Sequence, residues 1–340
     1  MSPSESPLPK LSIRLHGGMH PRDCLAFAKT ADEAGLQGVW FAENPFARGI
    51  LAAATLCAAH TRNIHIGAGV FNPFSRHPSL MAMEIGALDE VSDGRVSLSI
   101  GAGVAGGVER MGFSYDKPLS AVRDAVAIVR GLLKGETVTY EGKVLSSKGI
   151  KLDYVARPGL PIHVAGRGDN TLAFCGEAAD GWIVSNMCTP GFIAEASQIV
   201  FGAARKAGRT VLPEIVRYAP CVVRKDRAEA HLAAKLAVAE MLPGFVALSK
   251  RVATVKDALL IGTGLEESEL DTAAARLKAG EDAGAVLDER HVAAYAVAGT
   301  PEDCLEQAAS QKALGITDLA LTFAGEMPHE EMRLLAGATR

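Results

Sequence analysis

His16 and Glu43 are the two side chains whose positions best suit proton transfer. His16 follows the apolar run LSIRL and precedes Gly17 and Gly18, while Glu43 closes GVWFA. If these runs are strands of a barrel, both residues stand at C-terminal strand ends, where barrel enzymes place their chemistry. A carboxylate beside Trp40 and Phe41 would be held towards its protonated form by desolvation, ready to deliver a proton. The plainer alternative for Glu43 is an ion pair with Arg48. His20 lies four positions after His16, but the intervening glycines do not form the helix that a metal pair at that spacing needs. Arg76 and His77 could contact a ligand; His77, directly before Pro78, reads rather as a structural residue at a helix start.

Glycines mark where a ligand could lie. The stretch 66–103 holds two short apolar runs, each ending in glycines, with a helical segment between them. Glycine removes the Cβ that would hold a ligand off, so room is made beside two strand tips. Residues 101–106 spell G-x-G-x-x-G, which marks a dinucleotide turn only where a helix opens at once and an acidic residue follows about twenty positions on. Here the glycines run on to Gly107 and Gly112, and the pattern predicts no helix before about Leu119. A glycine-lined loop at a barrel strand tip is the better reading. A second cluster, 165–171, follows the run HVA and leads straight into a helix. Free N–H groups there, with Arg167 nearby, suit a phosphate; an ordinary turn capped by Asp169 or Asn170 explains it equally well.

These residues need elements to carry them. Strands are predicted at 11–15, 38–43, 64–69, 96–100, 161–165, 181–184, 215–223 and 318–323, most separated by helical segments. Both ends of the chain use the same unit of helix, glycine and strand. Thr300, Pro301 and Asp303 form a helix-start signature. Eight βα units give a closed (β/α)8 TIM barrel, against an open doubly wound sheet as the alternative. One domain over 1–340 is expected, with a hairpin excursion at 138–152 and an alanine-rich helical insertion over about 228–290.

Composition narrows the partners. With 39 acidic and 35 basic residues and a net charge of -4, the chain lacks the basic footprint of a nucleic-acid binder. A small-molecule substrate is expected. Six scattered cysteines without zinc spacing read as reduced core thiols, and no metal site is expected. The polar N-terminus does not read as a signal peptide, and no apolar run reads as a membrane span. The expected location is cytoplasmic.

Taken together, V-W-F-A-E at 39–43, G-A-G-V-F-N-P-F-S-R-H-P at 67–78, L-D-E-V-S-D-G-R at 88–95, G-A-G at 101–103, D-K-P at 116–118, P-I-H-V-A-G-R-G at 161–168, A-A-D-G-W-I at 178–183 and A-G-T-P-E-D at 298–303 resemble the bacterial luciferase-like superfamily. Within it, they most resemble the branch of F420-dependent oxidoreductases that includes methylenetetrahydromethanopterin reductase. The resemblance spans nearly the whole chain. It implies an eight-stranded luciferase-like barrel with an insertion, a homodimer, and a deazaflavin (coenzyme F420) or a flavin (FMN) at the strand ends. It also implies a non-prolyl cis peptide at Gly69-Val70 against the middle ring, with Asn72, Gly101 and Gly103 lining the ring and Ala165, Gly166, Arg167 and Gly168 holding the phosphate.

Departures qualify the substrate. Where the reductases it resembles carry acids in the first strand and after the fourth strand's G-x-G, this chain has Arg14 and Val104. Their acid-His pair after the second strand reads Glu43-Asn44. The reading that results is an oxidoreductase moving hydride between deazaflavin C5 and a small organic substrate, pterin-like or not, with Glu43 or His16 handling the proton. An FMN-dependent monooxygenase using O2, a non-catalytic cofactor-binding barrel and an NAD enzyme built on 101–106 are the alternatives.

Overall fold

The computed structural model describes residues 6–339. Its strands are β1 (Lys10–His16), β2 (Gly38–Ala42), β3 (His65–Phe71), β4 (Val96–Ile100), β5 (Val138–Glu141), β6 (Ser146–Ile150), β7 (Ile162–Ala165), β8 (Gly181–Val184), β9 (Glu214–Val223), β10 (Val297–Gly299) and β11 (Asp318–Phe323). Eight of them, β1, β2, β3, β4, β7, β8, β9 and β11, pair in parallel, and β11 returns to β1 to close the barrel. All eight predicted strands are present within two residues of their expected limits. Parallel strands covered on both sides read as short, nearly continuous apolar runs, and GVWFA and GWIV, buried throughout, are of that kind.

Helices join the strands with the expected punctuation. Pro21–Ala34 stops at Gly35, whose φ of 91° is a left-handed cap. Pro301–Ala313 begins with a capping box between Thr300 and Asp303. The predicted excursion after the fourth strand is the antiparallel β5–β6 hairpin.

Three features differ from expectation. A six-residue helix, Ala105–Arg110, opens directly after Gly103, earlier than the predicted start near Leu119. It leads to a second helix, Pro118–Leu133, and to the hairpin before the chain returns to β7, parallel beside β4. A helix therefore does open at the G-x-G-x-x-G, but the acidic residue about twenty positions on, Asp124, lies inside helix Pro118–Leu133 and not at the strand end that a dinucleotide turn requires. The helical stretch is divided into Arg227–Ser249, Ala253–Leu260, Glu267–Lys278, Ala283–Val286 and Glu289–Tyr295, and it ends in the unpredicted β10, which pairs with the last three residues of β9. Helix Arg227–Ser249 is also long and apolar enough by composition to pass for a membrane span. Its alanine-rich face instead buries Ala230, Ala234, Val238 and Leu242 in a satellite core with Val222 and Ala298.

The main core fills the space between strands and helices, while the barrel interior is packed separately by Trp40, Ala42, Ile183, Val216, Tyr218 and Ala320. Trp40 fits because residue 67 is glycine: a Cβ there would stand 2.1 Å from the indole ring. Below it the floor is polar. Trp40 Nε1 donates to Asp318 at 2.9 Å, Lys10 pairs with Glu214 at 3.0 Å, and His163 Nε2 meets Glu214 at 3.2 Å.

Candidate active site

The C-terminal ends of β3, β4 and β7 form one wall of the barrel mouth. β3 breaks register with β4 between Ala68 and Phe71, and the Gly69-Val70 peptide is cis, as the resemblance implied. Gly69 has φ of 146°, and a Cβ there would lie 2.3 Å from the Ser99 carbonyl oxygen. The bulged chain is tied to its neighbours: Glu43 N–H donates to Gly69 O at 3.0 Å, and Gly101 N–H to Phe71 O at 3.1 Å. Gly101 lies between Val70 and Ala165, since a Cβ on it would stand 2.6 Å from Val70 Cγ1 and 3.1 Å from Ala165 Cβ. Gly103, with φ of 70°, faces Asn72 in the same way, a Cβ reaching 2.6 Å from Nδ2. Asn72 Oδ1 accepts from Phe74 N–H at 2.9 Å, which fixes the side chain. The structure therefore brings Gly69, Val70, Asn72, Gly101, Gly103 and Ala165 into a single shelf without bulky side chains. Tyr115 covers its edge, donating to Gly103 O at 3.0 Å and packing on Phe74.

Beside the shelf, Ala165 to Gly168 turn into helix Asp169–Ala178. The helix is capped by Gly168 with no side-chain hydrogen bond, so neither Asp169 nor Asn170 is the cap. Trp182 Nε1 holds the turn by donating to Gly166 O at 2.8 Å. Arg167 hydrogen-bonds the Ser185 hydroxyl and reaches Cys188 Sγ at 3.5 Å. No carboxylate pairs with it among the described residues. A helix start without a side-chain cap, beside an arginine without a carboxylate partner among the described residues, suits an anion.

The two proton-handling candidates stand across the mouth from this turn, on β1 and the end of β2. His16 Nδ1 accepts from Gly18 N–H at 3.1 Å, which leaves the ring proton on Nε2. Burial and then the charge of Arg14 lower the pKa of His16, favouring the neutral ring. Glu43 pairs with Arg76 at 3.4 Å and not with Arg48, which binds Gly18 O at 3.0 Å. Burial raises the Glu43 pKa, and Arg76 opposes the rise. His77 is structural: it caps helix Pro78–Val91 through Ser79 N–H and contacts Ser146 O.

A family model for luciferase-like monooxygenases matches residues 7–318. This chain belongs to the luciferase-like monooxygenase family. Within that family, the 5,10-methylenetetrahydromethanopterin reductase of Archaeoglobus fulgidus is 31% identical over 295 residues, covering 86% of this chain and 87% of that protein. The enzyme of the same name from Methanolobus tindarius is 30% identical over 297 residues with the same coverage. The solved coenzyme F420 dependent tetrahydromethanopterin reductase from Methanopyrus kandleri has the same fold, with a TM-score of 0.84 over 97% of each chain at 23% identity.

Inside the luciferase-like barrel, Arg14 also meets residues far from it in sequence. Arg14 Nη1 donates to Thr322 Oγ1 at 3.3 Å, and its guanidinium lies 5.2 Å from the centre of the Tyr218 ring. Strand alternation was the available signal. Arg14 and His16 share a face of β1 as i and i+2, and that face is set by buried Ser12. Among the described residues no group of three His, Cys, Asp or Glu side chains could hold a metal.

Proposed function

We propose that this family member is an oxidoreductase that binds coenzyme F420 on the Val70–Gly101–Ala165 shelf and acts on a small organic substrate. The observation that carries the reading is the shelf itself: three strand ends meet where side chains at 69, 101 or 103 would collide with neighbours. A flat ring system fits such a surface, and the uncapped turn with Arg167 at its side fits a phosphate. The named relatives, similar over 86% of the chain, support the same reading. F420 bound there would supply hydride exchange at its C5.

The chain's own residues do the rest. The shelf orients the ring, Asn72 offers an amide N–H beside it, and Tyr115 excludes water at the edge. His16, neutral and with its proton on Nε2, donates to a polar group of the substrate. Glu43, biased by burial towards its protonated form, delivers or accepts the proton. With Arg14 and Val104 in place of acids, a substrate other than the pterin of the relatives is the simpler reading.

A cytoplasmic location and a homodimer are part of this proposal. All six cysteines are buried and free, in keeping with a reducing compartment. Leu80, Met83 and Val91, exposed on one face of helix Pro78–Val91, offer apolar surface to a second copy. The test is titration of purified protein with F420, FMN and NADPH. Tight binding of F420 and its turnover with a substrate are expected. Tighter binding of FMN would favour a flavin monooxygenase, and cofactor binding without any redox turnover would leave a binding protein.

A further inference from the structure

The floor of the mouth contains a cation with no counter-ion among the described residues. Arg14 points inward from β1; among the described residues its side chain is hydrogen-bonded only to Thr322 Oγ1, and its buried Nε has no partner. The Tyr218 hydroxyl, buried next to it, also has no hydrogen-bond partner among the described residues. The acids that could neutralise Arg14 are engaged elsewhere. Glu43 is held by Arg76, and Glu214 by Lys10 and His163. Asp318 accepts from Trp40 and pairs in register with Lys10, four residues or roughly 13 Å down the strand from Arg14. The cation also acts on its surroundings, lowering the pKa of His16.

Buried charges are ordinarily paired, and a polar group left unmatched at a cavity wall is matched by what enters the cavity. We propose that Arg14, together with the Tyr218 hydroxyl, docks a carboxylate group of the substrate. The inference rests on the reading of the barrel mouth as the catalytic site. One cation balances one negative charge, which fits a carboxylate better than a phosphate dianion. The planar guanidinium fork matches two carboxylate oxygens, and the tyrosine hydroxyl can donate to one of them. The phosphate-suited turn at Arg167 follows β7, a separate place. His16 lies two residues beyond Arg14 on the same face, about 7 Å along the strand. A carboxylate anchored at Arg14 would set the next few atoms of the substrate beneath His16 Nε2, which makes Arg14 a specificity-determining residue.

The experiment uses the whole protein and the smallest probe, sodium formate, followed by NMR line broadening at constant ionic strength, with formamide and inorganic phosphate as controls. Saturable formate binding is expected, at least tenfold tighter than formamide or phosphate. It should be lost in Arg14→Met, weakened in Tyr218→Phe and partly kept in Arg14→Lys. If Arg14→Met fails to fold, Arg14→Lys and Tyr218→Phe decide by the same measure. No formate binding up to 100 mM, equal binding in wild type and variants, or tighter binding of phosphate overturns the proposal. A parallel F420 titration separates the two readings: formate binding dependent on Arg14 in a protein that ignores F420 sinks the cofactor assignment alone.

Discussion

Asp318 offers a direct test of the electrostatics under the mouth. It is buried at the foot of β11 and accepts a hydrogen bond from Trp40, and among the described residues its second oxygen has no hydrogen-bond partner. Burial raises its pKa from 3.8 to about 6, against the lowering effect of the Trp40 hydrogen bond. The folded state therefore keeps a proton that the unfolded chain has already released. The associated stability is fully present below about pH 4 and is lost as the pH rises through about 6. A shift of about two units corresponds to roughly 3 kcal/mol at 1.36 kcal/mol per unit. Asp318→Asn keeps an oxygen for Trp40 and cannot ionise. The stability of the variant relative to wild type should rise by about 3 kcal/mol between pH 4 and pH 7 and then level off. Urea unfolding of both proteins at unit pH steps measures this. Other titrations, such as that of His65, whose pKa burial lowers to about 3, are common to both proteins and cancel in the difference. A difference that stays flat from pH 4 to 8 would refute the argument.

Further outcomes are expected elsewhere in the barrel. Glu43→Gln should lower kcat by about 10²- to 10³-fold while leaving the dissociation constant of F420 within a factor of about three; an unchanged rate would remove Glu43 from the proton path. Gly101→Ala drives a methyl group against Val70 and Ala165, so F420 affinity by fluorescence titration should fall by about tenfold or more, a loss of about 1.4 kcal/mol. In Asp89→Ala the bidentate bond to Arg157 at 2.8 and 2.9 Å and the bond to Val96 N–H are lost; with Arg157 partly exposed, the cost by chemical denaturation should be about 2–3 kcal/mol.

The barrel was legible because each of its strands is a short apolar run set between helical segments and turn residues, a pattern that local sequence displays openly. β10 was not, because three residues make no pattern and its pairing with Cys221–Val223 depends on a return over seventy residues away. Helix Ala105–Arg110 was hidden by Gly106 and Gly107, poor helix formers that nonetheless lie in the helical turn after Val104. At the site, glycine positions carried the shelf through, since a missing Cβ is visible in sequence. Ion-pair partners did not. Arg48 is nearer to Glu43 in sequence, but the β2–β3 pairing brings the loop bearing Arg76 beside it. Arg14 and Tyr218 meet only when the barrel closes between β1, β11 and β9.

The β9–β10 pairing has a consequence for how such a barrel can change. Some seventy residues leave at Val223 and come back at Val297 alongside Cys221, so departure and return are separated by about one strand spacing plus a step of two residues, on the order of 10 Å. Because closing a loop becomes only slowly more costly with its length, the segment between can be lengthened, shortened or exchanged while the eight strands keep their register. The barrel thus treats everything from Arg224 to Ala296 as an exchangeable segment, held by the β9–β10 pairing and by contacts such as Thr189 Oγ1 to Ile261 O at 2.6 Å.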